Sequence, residues 1–84
     1  MKFELVTPTC MVADINDAAY VQCPGTEGYF GVLPGHASLV ATLADKGKVT
    51  VKTASGEQTF SVSEAFAEVS STGVTILAEQ ASTV

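Results

Sequence analysis

With 84 residues the chain has room for one hydrophobic core, and it is expected to form a single domain, residues 1–84. Apolar residues make up 46% against 15% charged, which excludes a disordered chain. A net charge of −5, with four lysines and no arginine, excludes the basic cluster that nucleic acid or anionic lipid requires.

Alternation of apolar and polar residues dominates from the start. Phe3 and Leu5 alternate with Glu4, and Met11, Ala13 and Ile15 share one face. The opening Met1-Lys2-Phe3-Glu4 leads straight into this pattern without the apolar stretch of a secretory signal, so Cys10 and Cys23 are expected as reduced thiols of a cytoplasmic protein. No apolar run approaches the roughly 20 residues of a membrane-spanning helix. Any membrane association is expected to run through another protein.

Tyr20-Val21-Gln22-Cys23 leads into the densest stretch of turn chemistry, where Cys23 to His36 carries four glycines and two prolines in fourteen residues. Pro24-Gly25 and Pro34-Gly35 predict two successive corners. Tyr29, Phe30, Val32 and Leu33 lie between them, and side chains of that size predict an ordered, strand-bearing hairpin in place of a flexible linker. Ser38 to Ala44 suits either a helix or a strand.

Val49 and Val51 share a face opposite Lys48, Thr50 and Lys52, and Thr59-Phe60-Ser61-Val62 repeats the pattern after the turn residues Ala54-Ser55-Gly56-Glu57. A second hairpin is expected where Glu68-Val69 and Val74-Thr75-Ile76-Leu77 flank Ser70-Ser71-Thr72-Gly73. Ala81 to Val84 reads as a frayed tail. Turn signals every eight to twelve residues predict an all-β fold, a two-sheet β-sandwich or flattened barrel of about 8–10 short strands. Its expected core is Phe3, Leu5, Val21, Val32, Val49, Val51, Phe60, Val62, Val69, Val74 and Ile76.

Catalytic chemistry finds little footing. His36 is the only histidine, no C-x2-C or H-x3-H spacing exists, and Gly35-His36-Ala37-Ser38 is not a nucleophile elbow. The Gly47-Lys48 step is followed by Val49 and has Thr42 where a phosphate loop needs its first glycine. No catalytic residue, metal or cofactor is expected. What remains is interaction surface.

Gly25-Thr26-Glu27-Gly28, followed by Phe30-Gly31-Val32-Leu33-Pro34-Gly35-His36-Ala37, resembles the pattern near the start of the epsilon subunit of F-type ATP synthases, called delta in mitochondria. Phe3 to Pro8, Gly47 to Val51, Phe66 to Val69 and Val74 to Glu79 agree with it in order and spacing. The resemblance implies a non-catalytic central-stalk subunit, peripheral at the cytoplasmic face of a bacterial inner membrane and monomeric when isolated, that joins the gamma subunit to the c-ring. It implies that Glu27, Gly28, Tyr29 and Gly31 face the ring, and that Pro34, Gly35 and His36 lie near gamma. Epsilon subunits commonly continue into a two-helix hairpin, and this sequence stops where that hairpin would start.

The chain departs from the family pattern at Ser63-Glu64-Ala65-Phe66, where many members carry two glycines, at Ser38, where proline is common, and at Tyr29, often acidic. A tight backbone position at Glu64 is expected to be reshaped. The rival reading is a free-standing β-sandwich that binds a small ligand or peptide between its sheets through Tyr20, Tyr29 and His36.

Overall fold

The computed structural model describes residues 1–35 and 37–84. Eight strands follow one another: β1 (Lys2–Val6), β2 (Met11–Ile15), β3 (Tyr20–Gly25), β4 (Gly28–Val32), β5 (Leu39–Thr42), β6 (Gly47–Thr53), β7 (Gly56–Ser70) and β8 (Gly73–Thr83). They form a mixed sheet in the order β2-β1-β8-β7-β6-β3-β4, with β5 paired to β7 and with β1 parallel to β8. The all-β expectation holds, and the sheet does not close into a barrel.

Two layers arise because β7 and β8 each run through both. The first half of β7 pairs with β6 (Phe60 opposite Val49), whereas its second half pairs with β5 (Ala67 opposite Ala41). Burial records the switch. Phe60 and Val62 are buried, then the phase slips by one residue to Ala65, Ala67 and Val69. Strands that change sheets need a bend or bulge at the corner, and here Glu64 supplies it with φ +52°, a conformation rare for a residue with a side chain. The tight backbone position expected there is occupied by a glutamate.

Between the layers Phe3 stacks on Phe60 with ring centroids 5.9 Å apart. Every residue of the expected core is buried, joined by Cys23, Leu43 and the small side chains Ala18, Ala65, Ala67 and Ala78. Ala54-Ser55 and Ser71-Thr72 close the two expected hairpins, the flanking pairs being Thr53 with Gly56 and Ser70 with Gly73.

Three expectations fail. Pro24 and Gly25 are not a corner but the end of β3, paired with Tyr29 and Gly28, and the turn falls on Thr26-Glu27. Residues 81–83 are not a frayed tail: they continue β8 against Phe60, Ser61 and Val62 of β7, and Val84 N–H donates to Thr59 O at 3.0 Å. The strands are not uniformly short either, since β7 has 15 residues and β8 has 11. Of the two readings left open for Ser38 to Ala44, the strand is the one adopted, as β5.

Candidate interaction surface

The hairpin of β3 and β4 ends at its Gly25–Gly28 pair, which leaves Thr26 and Glu27 exposed at the tip. Gly28 has φ +128°, a value open to glycine and costly for other residues, so the two-residue turn depends on it. Tyr29 follows on the outward face and is 62% exposed. Phe30 turns inward and packs against the core.

Gly31 has a different job. The Tyr20 ring of the neighbouring strand lies over it so closely that a Cβ at position 31 would overlap the ring. The same ring receives Lys52 Nζ at 5.6 Å from its centroid, and Lys52 reaches Glu57 at 4.0 Å. Gly31 therefore serves the fold first. Tyr20 and Tyr29 both project outward, because their neighbours Val21 and Phe30 turn to the core, so neither lines a cleft between the layers.

At the other end of β4, Leu33 is 60% exposed and Pro34-Gly35 turns the chain. Gly35 N–H donates to Ser71 O at 3.3 Å, tying this corner to the tip of the β7–β8 hairpin. His36, named above for the gamma side, lies outside the described residues. The named positions that the structure describes do not form one patch: Glu27, Gly28 and Tyr29 lie at the hairpin tip and the start of β4, and Pro34 and Gly35 beyond its end.

Beside the Gly35 corner opens the outer face of β5, β7, β8 and β1. Register sets it out in rows across the strands, with Glu4, Thr75, Glu68 and Val40 side by side, and Val6, Leu77, Phe66 and Thr42 in the next row. Val40 is 71% exposed and Phe66 41%, though their strand neighbours are buried or half-buried. A hollow of about 630 Å³ lies over Ser38, Val40, Glu68, Thr72 and Thr75. Sequence reasoning missed this face. Val40 and Phe66 alternate with inward residues as strand residues should, and only pairing shows that Phe66 lies beside Leu77 and Val6 on one outward face.

Two titratable groups depart from their ordinary behaviour. Burial pushes the Cys23 thiol up to about 12, so it stays protonated and packs as a small apolar side chain. Cys10 is exposed, and both thiols are free. The Asp45 carboxyl lies below its ordinary value because it accepts hydrogen bonds from Ser63 Oγ and from Glu64 N–H. Among the described residues no group of three or more His, Cys, Asp or Glu could hold a metal ion. No helix of the described residues is long and apolar enough to cross a membrane.

Comparison with known proteins agrees with this architecture. Residues 1–84 match the family model described as the ATP synthase delta/epsilon chain, β-sandwich domain. The chain is 43% identical over 81 residues to the ATP synthase epsilon chain of Caulobacter vibrioides, covering 96% of this chain and 92% of that protein. It is 41% identical over 80 residues to the epsilon chain of Rhodobacter capsulatus, of which it spans 59%. Among solved structures, a chain of the Euglena gracilis mitochondrial ATP synthase superposes with a TM-score of 0.86 at 26% identity, over 96% of this chain and 51% of that one. A chain of the Tetrahymena thermophila mitochondrial ATP synthase central stalk and c-ring shares the fold, with a TM-score of 0.78 at 13% identity over 98% of this chain and 65% of that one. The chain belongs to the ATP synthase delta/epsilon family, through that family's β-sandwich domain.

Proposed function

We propose that the chain is a non-catalytic subunit of the central stalk of a proton-translocating F-type ATP synthase, fastening the gamma subunit to the c-ring so that rotation reaches the catalytic head. The supporting observation is the separation of two exposed features by β4. Its five residues, at about 3.4 Å each, hold the Glu27–Tyr29 tip and the Pro34-Gly35 corner about 17 Å apart on rigid backbone. In this reading the tip meets the ring. The corner and the outer face beside it meet gamma, with His36 among the contacts. The subunit sits peripherally at the cytoplasmic face of the membrane and is a monomer when isolated.

The rival, a ligand bound between the layers, loses two of its three proposed contacts because Tyr20 and Tyr29 point away from that space, and the third, His36, lies outside the described residues. Tagged chain expressed in its own cells and captured from solubilised membranes tests the proposal. Gamma and the c-ring should co-purify with it, and their absence from a capture that retains the folded chain would refute it.

A further inference from the structure

At the end of the outer face away from the Gly35 corner lies a second hollow, of about 310 Å³. Its floor is apolar, formed by Val6, Pro8, Phe66 and Leu77, and its rim carries Glu64 and Glu79. Val6, Leu77 and Phe66 are successive partners across β1, β8 and β7, so the floor is one continuous band. The pairs Ser63–Gln80 and Ala65–Ala78 bracket Glu64 and Glu79, which places the two residues opposite each other on neighbouring strands, both lining the hollow.

Like charges opposite one another on paired strands destabilise the pair, and Glu64 sits in a strained conformation besides. Neither carboxylate has an ion-pair partner within 4.0 Å, the ion pairs of the described residues being Lys2–Asp14 and Lys52–Glu57. Glu4 and Glu68 project from the same face. Lys2 is the only lysine lining its two hollows, and it is paired. An exposed apolar band under uncompensated negative charge matches one kind of side chain: a long aliphatic stem with a cationic head.

We propose that this hollow is the socket for a lysine or arginine side chain of the gamma subunit, whose stem lies on Phe66 and Leu77 and whose head bridges Glu64 and Glu79. The proposal rests on the reading that the outer face meets gamma. It adds the chemistry of the contact, and it gives the Glu64 side chain a role beside the bend that its backbone supplies.

Calorimetric titration of the chain with purified gamma, at low and at raised salt, tests it. Wild type should bind with an affinity that falls as salt rises. The double variant Glu64→Gln/Glu79→Gln should bind roughly tenfold more weakly, with a flatter salt dependence, and Glu79→Lys should abolish binding. Phe66→Ala should also weaken binding, while circular dichroism confirms that each variant remains folded. Wild-type affinity in the carboxylate double variant would overturn the socket even if Phe66→Ala weakens binding, since the contact would then be apolar only. Failure of folded wild type to bind gamma would instead overturn the stalk assignment, and the socket with it.

Discussion

Asp45 Oδ1 accepts the Ser63 hydroxyl hydrogen bond at 2.9 Å, and the same oxygen accepts the Glu64 backbone N–H at 3.4 Å. The turn between β5 and β6 is thereby fastened to the point where β7 passes from one layer to the other. Glu64 holds φ +52° there, and left-handed backbone costs a residue with a Cβ roughly 1–2 kcal/mol. Glycine removes that cost but frees the unfolded chain. Glu64→Gly should raise stability by up to about 1 kcal/mol in chemical denaturation.

The Asp45 carboxyl also makes stability depend on pH. Its folded-state pKa is lowered from the ordinary 3.8 by the Ser63 and Glu64 hydrogen bonds. A depressed carboxyl stabilises the fold above its unfolded value, and the contribution is lost as pH falls through the folded value. Asp45→Asn keeps an acceptor oxygen but cannot titrate there. Wild type should therefore lose melting temperature relative to Asp45→Asn as pH falls below about 4. Parallel curves would contradict the assignment.

Cys23 acts in the opposite pH range. Its folded pKa is raised from 9.0 to about 12 by burial, so the stabilisation is complete below the unfolded value and disappears as pH rises towards 12. At neutral pH the same burial hides the thiol. A thiol-specific reagent should label Cys10 alone in the native protein and both cysteines in denaturant, as read by mass spectrometry.

How much of this was legible in the sequence follows from what local pattern can carry. Period-two alternation identified Val49, Val51, Phe60 and Val62 as core, and turn residues located the closures at Ala54-Ser55 and Ser71-Thr72, because both signals are local. Ala65, Ala67 and Ala78 were missed, since a small side chain marks neither face. Pro24 misled because its ring usually signals a turn, whereas here it ends a strand and packs over Gly47. Residues 81–83 looked like a tail because their partners in β7 lie some twenty residues away. The candidate surface was half legible: the glycine-rich run announced the hairpin and the corner, but the outer face exists only through the pairing of β1, β8, β7 and β5.

Phe60 is 2% exposed and stacked on Phe3. Phe60→Ala should cost roughly 3–5 kcal/mol. A domain of this size has little more than that in total, so loss of the two-state transition, or a midpoint shift of that magnitude, is the expected outcome in denaturant. A change under about 1 kcal/mol would mean that the interlayer stack contributes little.

Gly31 separates structure from interface. Gly31→Ala should displace the Tyr20 ring and destabilise by about 1–3 kcal/mol. Combining it with Tyr20→Ala should recover part of that loss, since the clash then has no second member. Additive losses in the double variant would show that the ring contact is not the cause.

The central claim is that the exposed tip and corner serve assembly and not folding. Truncating an exposed side chain usually moves stability by less than about 0.5 kcal/mol, whereas truncating an interface anchor can cost about 2 kcal/mol or more of binding. The most direct test is the affinity of Tyr29→Ala and His36→Ala for isolated c-ring and isolated gamma, measured beside their melting temperatures. The account predicts near-wild-type melting for both, with Tyr29→Ala weakened chiefly on the ring and His36→Ala chiefly on gamma. Wild-type affinity of both variants for both partners would contradict it.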